Sequence, residues 1–209
     1  MDHTALIQSA QHGNLDSFNQ LVLAYQDRLF NVALYMLDNE DSAADALQNA
    51  FILAFRNLAS FRGGAFDYWL LRILKNVCYD ELRRRKRQFA FPLEPANEDD
   101  ESFETPVWLV DHAQGPAELA EQMDLTRAIQ DSLQTLSPDY RMVVTLVDID
   151  GMDYSEAAAI INKPIGTVKS RLARARMRLR EELRRYMDIL PSAYAHSHPL
   201  LVPEQITFG

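Results

Sequence analysis

Two blocks of helical periodicity, separated by an acidic segment, constrain this chain more than any other feature of its sequence. In residues 1–88 and 118–188, apolar residues recur at steps of three and four. Residues 89–117 hold four prolines and many carboxylates without a clear period. No alternation typical of a strand is found. The sequence predicts an all-α fold class with two small helical domains, a flexible acidic linker at 89–117 and a tail of unknown role at 189–209.

The first block predicts three helices. Apolar residues from Phe18 to Met36 fall on one helical face. Residues 38–41 interrupt this pattern and provide a cap for a second helix, which is expected to bury Phe51 and small neighbours. The glycines at 63 and 64 predict a loop, and a third helix then ends in a basic run at Arg87.

The second block predicts a helix-turn-helix between Tyr154 and Arg174. Ser155 is expected to cap a short helix that ends at Ile161, and Asn162 suits a turn that requires a positive φ. A long helix is then expected to start at Thr167. The predicted core of this motif comprises Ala158, Ile161, Ile165, Val168 and Leu172, and a polar stripe on the second helix comprises Thr167, Arg171, Arg174 and Arg178.

The charge distribution favours nucleic acid as a ligand although the net charge is −9. Of 21 basic residues, seven lie in 72–87 and nine in 163–185, and none lies between Arg87 and Arg127. Local fields rather than the net sum decide what a surface attracts. Arginines on a helix in the major groove can read guanine, although a solvated basic face is the alternative.

Aromatic residues precede the first basic cluster, in an order typical of single-strand binding. Phe61, Phe66, Tyr68 and Trp69 come just before Arg72. Bases of a single strand stack on such rings while basic side chains contact its phosphate backbone. The amide of Asn76 could bind an unstacked base. The alternative is that Phe66 and Trp69 belong to the core.

A third candidate surface lies on the second predicted helix. Asp41, Asp45, Gln48 and Ile52 share a stripe opposite its apolar face. A polar row is usually a solvated face, but an isoleucine among polar neighbours indicates a protein partner.

The sequence offers no support for an enzyme. The one cysteine, Cys78, has no nearby histidine for a nucleophile pair. No glycine-rich phosphate loop and no metal-binding spacing are found, and a metal site at His196 and His198 is an unfavoured alternative. We expect no cofactor. The absence of an apolar span and of a signal peptide predicts a cytoplasmic protein.

Four motifs occur in order: DALQNAF at 45–51, FRG at 61–63, WLLRI at 69–73 and GTVKSRL at 166–172. With them the chain resembles bacterial RNA polymerase sigma factors of the extracytoplasmic-function (ECF) group, over residues 14–185. The resemblance implies that the first domain binds the beta and beta-prime subunits of polymerase core and the −10 element, and that the second domain binds the −35 element. It implies stress-responsive transcription initiation with promoter melting and an anti-sigma factor as a further partner.

The resemblance and the patterns above together give three sets of candidate residues. The core-polymerase set is Asp41, Asp45, Gln48, Phe51 and Ile52. The −10 set is Phe61, Arg62, Phe66, Trp69, Arg72, Asn76, Arg83 and Arg84. The −35 set is Ser155, Thr167, Lys169, Ser170, Arg171, Arg174 and Arg178.

The main alternative function is a two-domain transcription activator with a similar helix-turn-helix. Such a protein would bind duplex DNA alone, whereas a sigma factor needs polymerase core to select promoters. Activators often carry an α/β sensor domain, and the first block predicts no strands.

Overall fold

The structure, a computed structural model, describes residues 3–90 and 127–184. All regular secondary structure in these two ranges is helical, as the sequence predicts. The predicted linker beyond residue 90, the start of the second block and the tail lie outside the described residues.

The first range forms a helical bundle. Its elements are α1 (Thr4–Gln11), α2 (Leu15–Leu37), α3 (Glu40–Asn57), a short 3-10 helix (Leu58–Ser60) and α4 (Phe66–Ala90). The predicted apolar face of α2 packs on α3 and α4, and Leu29, Met36 and Leu74 are fully buried at the centre. The sequence analysis missed α1. The side-chain amide of Gln11 ties it to the bundle by donating to the carbonyls of Leu58 and Phe61.

The break between α2 and α3 is made as the sequence predicts. Asp38 ends α2 in the left-handed region, at φ 56°. The next residue, Asn39, accepts a hydrogen bond from the backbone N–H of Ser42 at 2.8 Å and so caps α3. Two adjacent polar residues thus stop one helix and start the next.

The second range contains α5 (residues 127–134), α6 (Pro138–Val144), α7 (Tyr154–Ile161) and α8 (Ile165–Leu183). A π-helical turn, Thr145–Ile149, extends α6. The inner face of α8 packs on α6 and α7, with Val168, Leu172, Ala175 and Leu179 buried as predicted.

Three local predictions in this range are wrong. The cap of α7 is Asp153 and not Ser155, because Asp153 accepts from the N–H of Glu156 while Glu156 accepts from the N–H of Asp153. Helix α8 begins at Ile165 rather than Thr167, directly after Pro164. The side chain of Ile165 is 44% exposed and does not belong to the core.

The two helical units contact each other, which the sequence did not predict. The guanidinium of Arg141 in α6 is buried and donates to the carbonyl of Met36 near the end of α2, at 2.5 Å. It also donates within its own unit to the carbonyls of Gln134 and Leu136. One arginine therefore joins α2 to the start of α6.

Candidate nucleic-acid and protein interfaces

The helix-turn-helix is built by local backbone preferences. Helix α7 ends at Asn162, whose φ of 54° is the left-handed conformation that asparagine tolerates. The carboxylate of Asp153 also accepts from the hydroxyl of Ser155, and this hydrogen bond lowers the pKa of Asp153. The short α7 is thereby held at both ends, and the turn sets the direction of α8.

The outer face of α8 carries most of the predicted −35 set. Lys169, Ser170, Arg174 and Arg178 are exposed, and Thr167 is half-buried. The guanidinium of Arg178 lies over the ring of Tyr140, 5.0 Å from its centroid, and the ammonium of Lys169 lies 5.7 Å from the ring of Tyr154. These contacts orient two cations without neutralising them.

Two other arginines of α8 are paired with carboxylates. Arg176 binds Asp148, of which only 2% is exposed, at 2.7 Å. Arg171, a member of the predicted −35 set, binds Asp139 at 2.6 Å, and only 22% of its side chain is exposed. The structure thus separates Arg171 from the freely exposed Arg174.

The aromatic residues of the predicted −10 set form one cluster. The ring centroids of Phe61, Phe66 and Trp69 lie 5.3–5.4 Å apart. Phe66 is only 5% exposed and therefore belongs to the core, so the alternative interpretation is right for this residue. Phe61 and Trp69 are half-buried and keep one side toward solvent.

The loop before α4 has a backbone conformation that glycine adopts readily and other residues rarely do. Gly63 and Gly64 have φ values of 100° and 93°, and a Cβ at either would meet no atom within 4 Å. Conformation, not crowding, therefore requires glycine here. The exposed Arg62 precedes the loop, and Asn76 is exposed further along α4.

Basic residues of α4 face the helix-turn-helix. Arg72 donates to the carbonyl of Ala159 at 2.9 Å, and the ammonium of Lys75 donates to the carbonyl of Ile160 at 3.2 Å. Burial and the nearby charges of Arg72 and Lys163 lower the pKa of Lys75. A cleft of about 410 Å³ lies here, lined by Asn76 and Arg83 among others.

Near the end of α4, Arg83 lines that cleft, whereas Arg84 lies on another surface. Arg83 and Arg84 make exposed pairs with Asp80 and Glu81 one helical turn earlier. Arg84, together with Asp45, lines a second groove of about 630 Å³ between α3 and α4. The predicted −10 set is therefore divided between two surfaces.

The predicted stripe on α3 is exposed throughout, and Phe51, the remaining member of the core-polymerase set, is buried as the sequence predicts. Asp41, Asp45, Gln48 and Ile52 reach solvent, whereas Phe51 is 9% exposed and packs in the core. Because Phe51 faces inward, it supports the helix and offers no side-chain contact to a partner. Leu53 and Phe55, 39% and 41% exposed, extend the apolar part of this surface, and the sequence analysis missed both.

A residue outside all three sets joins the two units. The guanidinium of Arg28 in α2 binds Asp150 through both of its carboxylate oxygens, at 2.8–3.1 Å, and also binds Asp67 at 2.9 Å. These hydrogen bonds raise the pKa of Arg28. Nearby, the hydroxyl of Tyr68 donates to Glu156, which raises the pKa of Tyr68 to about 12. No sequence pattern marked Arg28.

Enzyme and metal sites gain no support from the described residues. Cys78 is fully buried in the first unit, and burial raises the pKa of its thiol to about 12. Between residues 3 and 90 and between 127 and 184, no group of histidine, cysteine and carboxylate side chains could hold a metal ion. In the same ranges, no helix could cross a membrane. His196 and His198 lie outside them.

Comparison with known families matches both units. Residues 21–88 match the family model "Sigma-70 region 2", and residues 126–179 match "Sigma-70, region 4". The chain is 32% identical over 179 residues to the ECF RNA polymerase sigma factor SigW of Bacillus subtilis (strain 168), a match that covers 85% of this chain and 95% of that protein. It is 35% identical over 176 residues to the ECF RNA polymerase sigma-E factor of Escherichia coli (strain K12), covering 82% and 88%.

Two solved structures have a similar fold. One is the sigma factor RpoE in complex with the anti-sigma factor NepR from Bartonella quintana, with a TM-score of 0.59, 31% identity and coverage of 80% of this chain and 96% of that one. The other is CnrH in complex with the cytosolic domain of CnrY, with a TM-score of 0.61, 26% identity and coverage of 88% and 99%.

Proposed function

The chain belongs to the ECF group of sigma-70 RNA polymerase sigma factors, which direct polymerase to promoters, and we propose how its surfaces divide that task. Membership in this family makes the chain a transcription-initiation factor and not an enzyme. The first unit binds polymerase core and the −10 element, and the second unit binds the −35 element. The observation that carries this division is the exposed basic face of α8 on a helix-turn-helix.

Polymerase core binds the exposed stripe of α3 and the groove beside it. Asp45 lines that groove with Ile52 and Leu53, so that carboxylate and apolar surface are adjacent. Such a mixed, partly apolar patch is typical of a protein interface. The two ends of the patch, Asp41 and Phe55, extend it along the helix.

We expect Asp45→Arg to weaken binding to polymerase core at least tenfold, because it reverses a charge at the centre of the patch. Gln48→Ala should weaken binding less. Asp27→Arg, the same reversal at an exposed position of α2, is the matched control. Affinity is measured by fluorescence anisotropy of the labelled chain, and helical content by circular dichroism. Core binding by Asp45→Arg equal to that of Asp27→Arg would place the interface elsewhere.

The loop at 61–65 and the first turns of α4 bind the −10 element and hold an unstacked base during melting. Opening a base step costs a few kcal/mol, so the site must return a similar amount. Stacking on the exposed sides of Phe61 and Trp69 supplies about 1–3 kcal/mol per base. The amide of Asn76 and the glycine backbone add hydrogen bonds, and Arg62 and Arg72 attract phosphate.

We expect Asn76→Ala to slow open-complex formation severalfold while closed-complex binding stays unchanged. Permanganate reactivity of promoter thymines measures opening, in the presence of polymerase core. Gln88→Ala, another exposed amide on α4, is the control. A promoter already mismatched across the −10 element should remove much of the defect, because melting no longer costs energy. Wild-type opening of duplex promoters by Asn76→Ala would refute the base-capture role.

The −35 element lies along α8. Arg174 is exposed at the middle of the helix and is the strongest candidate for base contact, whereas Arg184, at the far end, contacts phosphate or solvent. Ser155 at the start of α7 and the cations at 169 and 178 contact the backbone. Arg171 joins them only after leaving Asp139.

The further partner is an anti-sigma factor, and the site of action is the cytoplasm. Two solved structures with a similar fold are complexes with an anti-sigma factor or with a cytosolic partner domain. The response of this chain to stress would then depend on release of that partner.

A further inference from the structure

Helix α1 is attached to the loop that leads into the −10 surface. The side-chain amide of Gln11, the last residue of α1, donates to the carbonyl of Leu58 at 3.0 Å and to the carbonyl of Phe61 at 2.9 Å. These carbonyls belong to the first residue of the 3-10 helix and to the residue directly after it. One amide group therefore holds both ends of the turn from which the loop at 61–65 departs.

The amide of Gln11 supplements the hydrogen bonds of the turn itself. The backbone N–H of Phe61 donates to the carbonyl of Leu58 at 3.1 Å, and the chain then becomes extended at Phe61, with φ −67° and ψ 117°. Carbonyls at the end of a helix lack partners in a following turn. The two N–H groups of a primary amide match two such acceptors, so Gln11 fixes the point at which the backbone leaves the helix.

Helix α1 is itself fixed to α2, which gives Gln11 a rigid base. Near the end of α1, the hydroxyl of Ser17 donates to the hydroxyl of Ser9 at 2.9 Å. Directly before α1, the ring of His3 lies edge-on to the ring of Tyr25, with 5.3 Å between centroids, and its Nδ1 forms a hydrogen bond of 3.0 Å with the tyrosine hydroxyl. Contacts at both ends of α1 thus define where its last side chain points.

On the other side, the same turn carries a ring of the aromatic cluster. The ring of Phe61 lies 5.3 Å from that of Phe66 and 5.4 Å from that of Trp69. Phe66 is buried, whereas Phe61 is half-buried and keeps one side toward solvent. Because Gln11 binds the carbonyl of Phe61, it restrains the backbone from which this partly exposed ring extends.

We propose that Gln11 is a positioning residue for promoter opening, which holds Phe61 and the loop at 61–65 in the arrangement that receives an unstacked base. Gln11 acts through Phe61 rather than by its own contact with DNA, since its amide nitrogen donates to two backbone carbonyls. This inference deepens the proposed function and rests on the assignment of the loop and Phe61 to the −10 element.

The expected effect follows from the population of the receptive loop. Without the amide, a smaller fraction of molecules holds the loop in that arrangement, and the apparent affinity for the base falls by the same fraction. The net loss of a hydrogen bond changes such an equilibrium about two- to tenfold.

The first test uses the full chain with polymerase core and a promoter selected by run-off transcription. Gln11→Met removes the amide and keeps an unbranched side chain of similar length, and Gln8→Met, at an exposed position of α1, is the matched control. We expect Gln11→Met to slow the appearance of permanganate-reactive thymines about two- to tenfold. Core binding, measured by fluorescence anisotropy, and opening by Gln8→Met should match the wild type. Opening by Gln11→Met at the wild-type rate would overturn the proposal.

A double-mutant cycle with Phe61→Leu, which removes the ring and keeps an apolar side chain, separates positioning from an independent effect. If Gln11 acts through Phe61, Gln11→Met should slow opening much less in the Phe61→Leu chain than in the wild type. Equal factors in the two backgrounds would show that Gln11 acts independently of Phe61, and the inference would be wrong.

The same cycle distinguishes this inference from the proposed function. If Phe61→Leu opens the promoter at the wild-type rate, the proposed role of Phe61 in base capture is wrong, and hydrogen exchange of the free chain still decides whether Gln11 holds the loop. If Phe61→Leu is slow and Gln11→Met is not, only the inference about Gln11 fails.

Hydrogen exchange followed by mass spectrometry measures the loop without DNA. Gln11→Met should speed exchange of the backbone N–H groups at 61–65 and leave the middle of α4 unchanged. Exchange at the wild-type rate in the loop, or faster exchange throughout the first unit, would overturn the proposal. Circular dichroism checks the helices, and Gln11→Asn, whose amide is one methylene closer to the backbone of α1, replaces Gln11→Met if that variant loses helical content.

Discussion

Arginines in the two basic clusters have different roles that the sequence did not distinguish. Arg85 donates to the carbonyl of Leu37 at 2.9 Å and so caps α2, and Arg176 binds the buried Asp148. Both are structural, whereas Arg174 is exposed. Sequence spacing shows where charges cluster along the chain. It does not show which of them meets a carboxylate or a helix end after folding, because those partners are distant in sequence.

The Arg176–Asp148 pair provides a prediction at the residue scale. Asp148 is 2% exposed, so Asp148→Ala removes a buried carboxylate that binds the largely buried guanidinium of Arg176. We expect a loss of about 2–4 kcal/mol in the free energy of unfolding. Glu181→Ala, which breaks an exposed pair on the same helix, should cost less than about 1 kcal/mol.

Urea denaturation followed by circular dichroism measures both variants. Because each variant removes one carboxylate that binds an arginine in α8 or at its C-terminal cap, the difference in stability between them reports the burial of the pair. Equal losses would mean that the two pairs contribute alike and that the buried position of Asp148 adds no stability.

At the scale of elements, the sequence predicted the helix faces and turns, because these features depend on residues that are close together in the chain. The faces of α2 and α3, the turn at Asn162 and the inner face of α8 follow from local periodicity and turn chemistry, and they are confirmed. The start of α7 was predicted two residues too late, because the side chains of Asp153 and Ser155 can both cap a helix. The reciprocal bond from Glu156 selects Asp153. Helix α1 was missed because a segment of only eight residues is too short to give a clear periodic signal.

The cap of α7 gives a prediction of pH dependence. The hydroxyl of Ser155 and the backbone N–H of Glu156 lower the pKa of Asp153 in the folded state. A group with a lowered folded-state pKa stabilises the fold above its unfolded pKa, about 4 for aspartate. That stabilisation is lost as the pH falls through the lower, folded-state pKa.

Asp153→Asn keeps a capping side chain but cannot ionise. We therefore expect the wild-type chain to melt at a higher temperature than Asp153→Asn at neutral pH, and the difference to shrink as the pH falls below about 4. Differential scanning calorimetry across this range measures it, with Asn39→Asp as a cap that gains a charge elsewhere. A difference that does not vary with pH would show that the charge of Asp153 contributes nothing.

At the scale of the whole molecule, the sequence predicted the two units but not their contact. Periodicity and composition identify each helical block, since these signals lie within a few residues. The contact depends on single side chains, Arg28, Arg72 and Arg141, that meet partners between 87 and 122 residues away. Nothing in the pattern around Arg28 distinguishes it from a solvated arginine on the outside of α2.

This contact alters what proteolysis of the free chain should yield. The composition of residues 90–106, with few apolar side chains and many carboxylates, predicts that a protease cuts first between residues 88 and 118. The contacts of Arg28, Arg141 and Tyr79 with the other unit predict that the two fragments then remain together.

We expect nicked wild-type chain to elute as one species in size-exclusion chromatography at micromolar concentration. After nicking, Asp150→Asn should elute as two separate fragments, because it has lost the bidentate pair with Arg28. The nicked control, Asp27→Asn, should elute as one species like the wild type. Separation of the nicked wild-type fragments under these conditions would show that these contacts do not hold the two units together.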